Sequence, residues 1–180
     1  MEGLNDMEKT VIEQKTEELL KQVNYTDGEV DVIAVAKSLG FVVGNAVLED
    51  DMDGFVIVQA GKNEILKIKT DKLIGVNSSR DLGFKRFIIA HEIAHYILHY
   101  SSESVNGMYA HRDHRKGRSD KENDADYFAA NLLMPKNAFK KKYNELKDKE
   151  LQLNDMLLLL ASYFSVPLES AKRRIQEIGL

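Results

Sequence analysis

The sequence predicts an α+β fold: a small, mostly antiparallel sheet of three or four strands packed against a buried helix, followed by a C-terminal bundle of helices. Three observations predict it. Short β-rich runs cluster between residues 41 and 78. Apolar residues recur at helical spacing on either side of them. The segment 81–100 is apolar on nearly every side, which marks a buried helix. The 180 residues, 43% hydrophobic and 30% charged, suffice for one compact domain with a sizeable core. Its expected parts are N-terminal helices (1–40), the sheet with its adjoining helices (41–135) and C-terminal helices (136–180).

Met7, Val11, Ile12, Leu19, Leu20 and Val23 recur at helical spacing, so a helix spans about 6–24. Asn5, with Glu8 three residues on, is its capping box. Tyr25-Thr26-Asp27-Gly28 is a turn, and a short helix over about 31–39 stops at Gly40. Residues 41–48, 54–60, 64–69 and 73–78 read as strands, with Ala60-Gly61-Lys62-Asn63 as a hairpin connection. The buried helix carries Phe84, Phe87, Ile88, Ile89, Ile93, Tyr96, Ile97 and Leu98. Residues 101–119 are polar and charged and read as a long loop. A helix from about 119 ends where Pro135 breaks it, and a charged helix covers 136–149. Two short helices, 153–164 and 168–178, flank Ser165-Val166-Pro167.

Composition removes several chemistries. The chain has no cysteine, so disulfides, iron–sulfur clusters and thiolate metal sites are excluded, and any metal has nitrogen and oxygen ligands. The net charge of −4 argues against nucleic-acid binding as the main activity. Met1-Glu2-Gly3-Leu4-Asn5-Asp6 is acidic and polar, the reverse of a secretory signal. No apolar stretch approaches the roughly 20 residues of a membrane span. The expected location is the cytoplasm.

The segment His91-Glu92-Ile93-Ala94-His95 carries the chemistry. Four residues apart on a helix, His91 and His95 place both imidazoles on one face, about one turn apart, where they can hold one metal ion. Glu92 is rotated about 100° from His91. It can flank the metal without ligating it and act as the catalytic base. Two histidines and a glutamate on a buried helix are costly unless paired or ligated, so ligation outweighs two ordinary core histidines. Catalytic zinc takes three protein ligands and leaves a position for water. Candidates for the third are His99, Glu103, His111, His114, Glu122 and Asp126. A longer zinc-peptidase motif needs glycine at 98 and histidine at 101, where this chain has Leu98 and Ser101. Glu122 and Asp126, four apart at the start of the next helix, suggest a ligand with a carboxylate behind it. Asp126 suits the non-coordinating nitrogen of a histidine ligand. Ser119-Asp120-Lys121-Glu122 is also a capping-box pattern, which offers Glu122 a purely structural role.

These residues resemble the ImmA/IrrE family of metallopeptidases, proteins of bacteria and their phages. The resemblance is carried by Ile74-Gly75-Val76-Asn77, by Lys85 to His99 around the histidine motif, and by Glu122-Asn123-Asp124-Ala125-Asp126-Tyr127-Phe128-Ala129-Ala130-Asn131-Leu132-Leu133-Met134-Pro135. Leu160 to Val166, Ala171, Arg174 and Gly179-Leu180 are similar to the family's closing helix pair. The resemblance covers about residues 73–180. It implies one zinc ion per chain held by His91, His95 and Glu122, with Glu92 as base. Asp124 stands where the family usually has glutamate, and Asp126 where it has asparagine. It further implies an endopeptidase whose protein substrate is a helix-turn-helix repressor of a mobile element or stress response.

Tyr109, His111 and His114 are candidates for stabilising the oxyanion or touching substrate; ordinary loop residues are the competing reading of each. The strand at 73–78 is either an edge that pairs with an extended substrate or an interior strand. The basic run from His111 to Arg118 is a solvated loop or a flap. A rival of another class is a DNA-binding or protein-interaction regulator that uses the C-terminal helix pair, with Lys172, Arg173 and Arg174 as its contacts and a structural metal.

Overall fold

The computed structural model describes residues 4–58, 70–100, 107–112, 119–149 and 151–180, with the backbone alone at Tyr100 and at 107–112. The predicted strand 64–69, its hairpin connection, Glu103 and His114 lie outside the described residues.

Helix α1 (Asp6–Gln22) begins at the predicted capping box: Asn5 accepts from the Glu8 backbone N–H at 3.0 Å, and Glu8 accepts from the Asn5 N–H at 2.9 Å. Helix α2 (Val32–Ser38) follows, capped by Asp31. Gly40, at φ 85°, makes the left-handed turn into the sheet.

Strands β1 (Val42–Ala46), β2 (Met52–Val58), β3 (Lys72–Asn77) and β4 (Gly107–Arg112) form one sheet in the order β1-β3-β2-β4. β2 runs antiparallel to both β3 and β4, while β1 lies parallel to β3. The sheet is therefore mixed, with antiparallel pairing in the majority. One alternative is decided and one expectation changes. β3 is bonded on both sides, because β1 pairs alongside it, and it offers no edge to a substrate. Part of the predicted loop 101–119 is instead the edge strand β4: its polar composition hid a segment made strand by pairing with β2.

Helix α3 (Leu82–Ala94) crosses one face of this sheet, and helix α4 (Asp120–Leu133) packs on its other side. The predicted burial of α3 holds for its second half, where Ile88 through Ala94 are all buried, whereas Leu82 in the first turn is 71% exposed and Phe84 and Phe87 are half-buried. Beyond Ala94 the helix widens into a π-helical turn, His95–Tyr100, in place of the regular α-helix expected. Ala90 and Ala94 on α3, and Ala125 and Ala129 on α4, have no exposed surface, and small side chains let packed helices approach closely.

Helices α5 (Lys136–Lys147), α6 (Leu153–Phe164) and α7 (Leu168–Ile178) form the C-terminal layer. Arg174 of α7 is 1% exposed and ties that layer to α4. It donates to the Met134 carbonyl at 3.1 Å and to Asn131 Oδ1 at 2.8 Å, and it pairs with Glu177. Arg86 of α3 is bound in the same way, by the carbonyls of Val30 and Ser165 and by Glu29. Among the described residues no helix is long and apolar enough to cross a membrane.

Replacing Arg174 by alanine strands Asn131 Oδ1 and the Met134 carbonyl in the interior. The expected loss is about 3–5 kcal/mol of stability, read as a lower urea midpoint. An unchanged midpoint would mean that the arginine does not hold α7 to α4.

Candidate metal centre

Helix α3 contributes His91 and Glu92, and His95 follows at the start of the π-helical turn. Their exposures are 2%, 1% and 6%. Across from them, Ser119 caps α4 by accepting from the Glu122 N–H at 3.4 Å. The Glu122 side chain is turned toward the histidines: Oε2 lies 3.0 Å from His91 Nε2, and Oε1 lies 3.3 Å from His95 Nε2. The two Nε2 atoms are 2.9 Å apart. Donor atoms of His91, His95 and Glu122 all fall within 4.8 Å of one another, and the three form a group that can hold a metal ion. Two imidazoles and a carboxylate are the donor set of many catalytic zinc sites.

Each histidine is held from behind. His91 Nδ1 meets Asp126 Oδ1 at 3.1 Å, on the nitrogen facing away from Glu122. Asp126 is itself approached by Arg173 of α7, at 3.6 Å. His95 Nδ1 meets His99 Nδ1 at 3.1 Å, and His99 Nε2 reaches Asp124 Oδ2 at 3.5 Å. His99 is thus behind His95, away from the group His91–His95–Glu122. The sequence held one signal of this, the repeat of histidine at 91, 95 and 99. The roles of Asp124 and Arg173 had no local signal, because their partners lie far along the chain.

Glu92 points elsewhere. Its Oε1 is buried and has no hydrogen-bond partner among the described residues, an arrangement that costs free energy unless water or a ligand proton meets it. The sheet comes close at this point: a Cβ on Gly54 of β2 would lie 2.4 Å from Ile88 Cγ2 and 3.4 Å from Glu92 Oε1. Gly54 pairs with position 111 of β4, and Val56 with position 109. Directly paired positions share a face, so 109 and 111 belong to the side of the sheet that α3 covers.

Burial raises the Glu92 carboxyl, the Glu122 charge adds to this and His91 opposes it, leaving it at about 8. For His91, burial disfavours the imidazolium, yet its hydrogen bonds to Asp126 and Glu122 and the nearby carboxylate charges outweigh this and raise the group to about 9. Burial and the neighbouring His95 lower His99, while burial raises Asp124.

The family model of the IrrE N-terminal-like domain matches residues 50–176. No curated protein matches the chain. Among solved structures it is similar to a Mycobacterium tuberculosis transcriptional regulator at 16% identity and a TM-score of 0.58. That likeness covers 92% of this chain and 46% of the other, so this chain spans less than half of that protein. At such identity the likeness is one of fold.

In the metal-free protein His91 and Glu92 both hold protons to higher pH than in the unfolded chain. The native state therefore binds more protons, and stability falls as pH rises. For His91 the loss runs from 6.5 to about 9, and for Glu92 from 4.5 to about 8. Thermal midpoints of metal-stripped protein should decline across this range, and His91→Gln should remove the upper part of the decline. A midpoint rising from pH 7 to 9 would contradict the assignment.

Proposed function

Because the chain belongs to the family of the IrrE N-terminal-like domain, we propose that it is a zinc-dependent endopeptidase. Its proposed substrate is a protein, a helix-turn-helix repressor of a mobile element or stress response. The observation that carries the reading is the unpartnered, fully buried Glu92 oxygen beside the His91–His95–Glu122 donor set. A purely structural metal site has no use for an idle carboxylate there.

In this reading His91 and His95 hold the ion through Nε2, and Glu122 completes the protein ligands with its carboxylate. Zinc there supplies Lewis acidity toward a water and toward the scissile carbonyl. Glu92 takes the proton of the attacking water and passes it to the leaving nitrogen. Asp126 accepts from the Nδ1–H of His91 and keeps Nε2 of that ring available. Tyr109 and His111 are assigned the contacts to the substrate carbonyl, on the strength of the register that puts their positions on the α3 side of the sheet. The substrate class is supported by the resemblance to ImmA/IrrE proteins.

The charges of α7 weigh against the DNA-binding rival. Arg174 is buried, Arg173 pairs with Asp126 and Glu177, and Lys172 stands 3.9 Å from Glu169. Little uncompensated positive charge is left for phosphates.

Elemental mass spectrometry should find about one zinc per chain, retained in Glu92→Ala and reduced in Glu122→Ala. With a cleavable repressor, Glu92→Gln should lower turnover by about 10²–10⁴-fold at undiminished metal content. Wild-type protein without metal, after zinc is supplied and the excess removed, would overturn the reading.

A further inference from the structure

We propose that His99 is a positioning residue, and that through it Asp124 selects the tautomer of His95 that leaves Nε2 able to bind metal. The inference rests on the metal-site reading above and adds residues to it.

The Nδ1 atoms of His95 and His99 are 3.1 Å apart. Two ring nitrogens share a hydrogen bond only if one carries the proton and the other a lone pair. Two arrangements of neutral rings satisfy this. If His99 donates from Nδ1, then His95 carries its proton on Nε2, aimed at His91 Nε2 and Glu122 Oε1, and the nitrogen facing the donor set is blocked. If His95 donates from Nδ1, its Nε2 presents a lone pair to the same place. His99 then accepts at Nδ1 and carries its own proton on Nε2.

Glu122 Oε1, 3.3 Å from His95 Nε2, draws the proton to that nitrogen while metal is absent; Asp124 draws it the other way. Its Oδ2 lies 3.5 Å from His99 Nε2, and an ionised carboxylate only accepts. It therefore favours the proton on His99 Nε2, which makes His99 Nδ1 an acceptor and His95 Nδ1 a donor. The preference crosses two rings and ends as a lone pair at the metal face. His91 is treated alike but more directly, with Asp126 at Nδ1. Alternate positions of one helix turn thus serve one site: Glu122 at the donor set, Asp126 behind one histidine, and Asp124, by way of His99, behind the other. The π-helical turn spans the whole interval from His95 to His99. The His99 side chain is only 7% exposed, so little water competes for its nitrogens.

The test uses full-length protein labelled with nitrogen-15. Two-bond proton–nitrogen spectra read ring tautomers, zinc affinity is read by competition with a chromophoric chelator, and unfolding midpoints of metal-free variants check folding. Wild-type His95 should carry its proton on Nδ1. His99→Leu should lose that preference and bind zinc about 10–100-fold more weakly, and Asp124→Ala should change both readouts in the same direction. His99→Asn, which keeps an acceptor near the Nδ1 position, should recover most of the affinity. A His99→Leu protein that binds zinc as tightly as wild type, or a wild-type His95 protonated at Nε2 in the metal-free state, would overturn the proposal. If wild-type protein takes up no zinc, the proposed function falls, and the His95 tautomer in wild type and His99→Leu still decides this inference.

Discussion

Two imidazoles and a carboxylate on the fully buried half of a helix set the terms for everything packed around them. Transferring His91, Glu92 and His95 from water is costly unless each polar atom finds a partner. Helix α3 cannot supply the partners, because its own backbone groups are bonded within the helix. They come from the first turns of α4, where Glu122, Asp124 and Asp126 face the histidines directly or through His99. A helix N-terminus is also the favourable place for carboxylates, since unpaired backbone N–H groups there carry positive partial charge. Glu122, in the first turn of α4, is thus also stabilised by where it stands on its own helix.

The rest of the fold keeps α3 and α4 in contact. Buried alanines on both helices permit close approach, and the sheet closes the other side, near enough at Gly54 that no side chain fits between it and Ile88. Behind α4 the C-terminal layer is anchored through polar bonds of Arg174 rather than through apolar packing alone. Arg173 extends that layer to Asp126, giving a continuous run of contacts from α7 to His91. Among the described residues Glu92 is the exception in this well-satisfied interior. Leaving one buried oxygen unmatched sacrifices stability, and such sacrifices concentrate where chemistry needs a group ready to act.

Legibility in the sequence followed the range of the interactions involved. The capping box at Asn5 and Glu8, the turn at Gly40 and the bounds of α6 and α7 depend on neighbours within a few residues, and the structure places them where the pattern predicted. Glu122 had two competing readings. Ser119 does cap α4, and the glutamate side chain is nevertheless directed at the histidines, a choice that depends on α3 being opposite. β4 illustrates the opposite limit: nothing in Gly107–Arg112 alternates strongly enough to announce a strand, and only β2 beside it supplies the hydrogen bonds.

The sequence by itself determined the pairing of His91 with His95 and the place of Glu92 beside them, because helical geometry converts a spacing of four into a shared face. It also determined that the helix bearing them is buried, since apolar residues surround it on nearly every side. The tertiary structure alone decided which strand is interior, which carboxylate lies behind which imidazole, and that His99 faces the back of His95 rather than the donor set. The carboxylate contacts behind these outcomes join residues 25 to 35 apart, and separation along the chain leaves no local pattern to read.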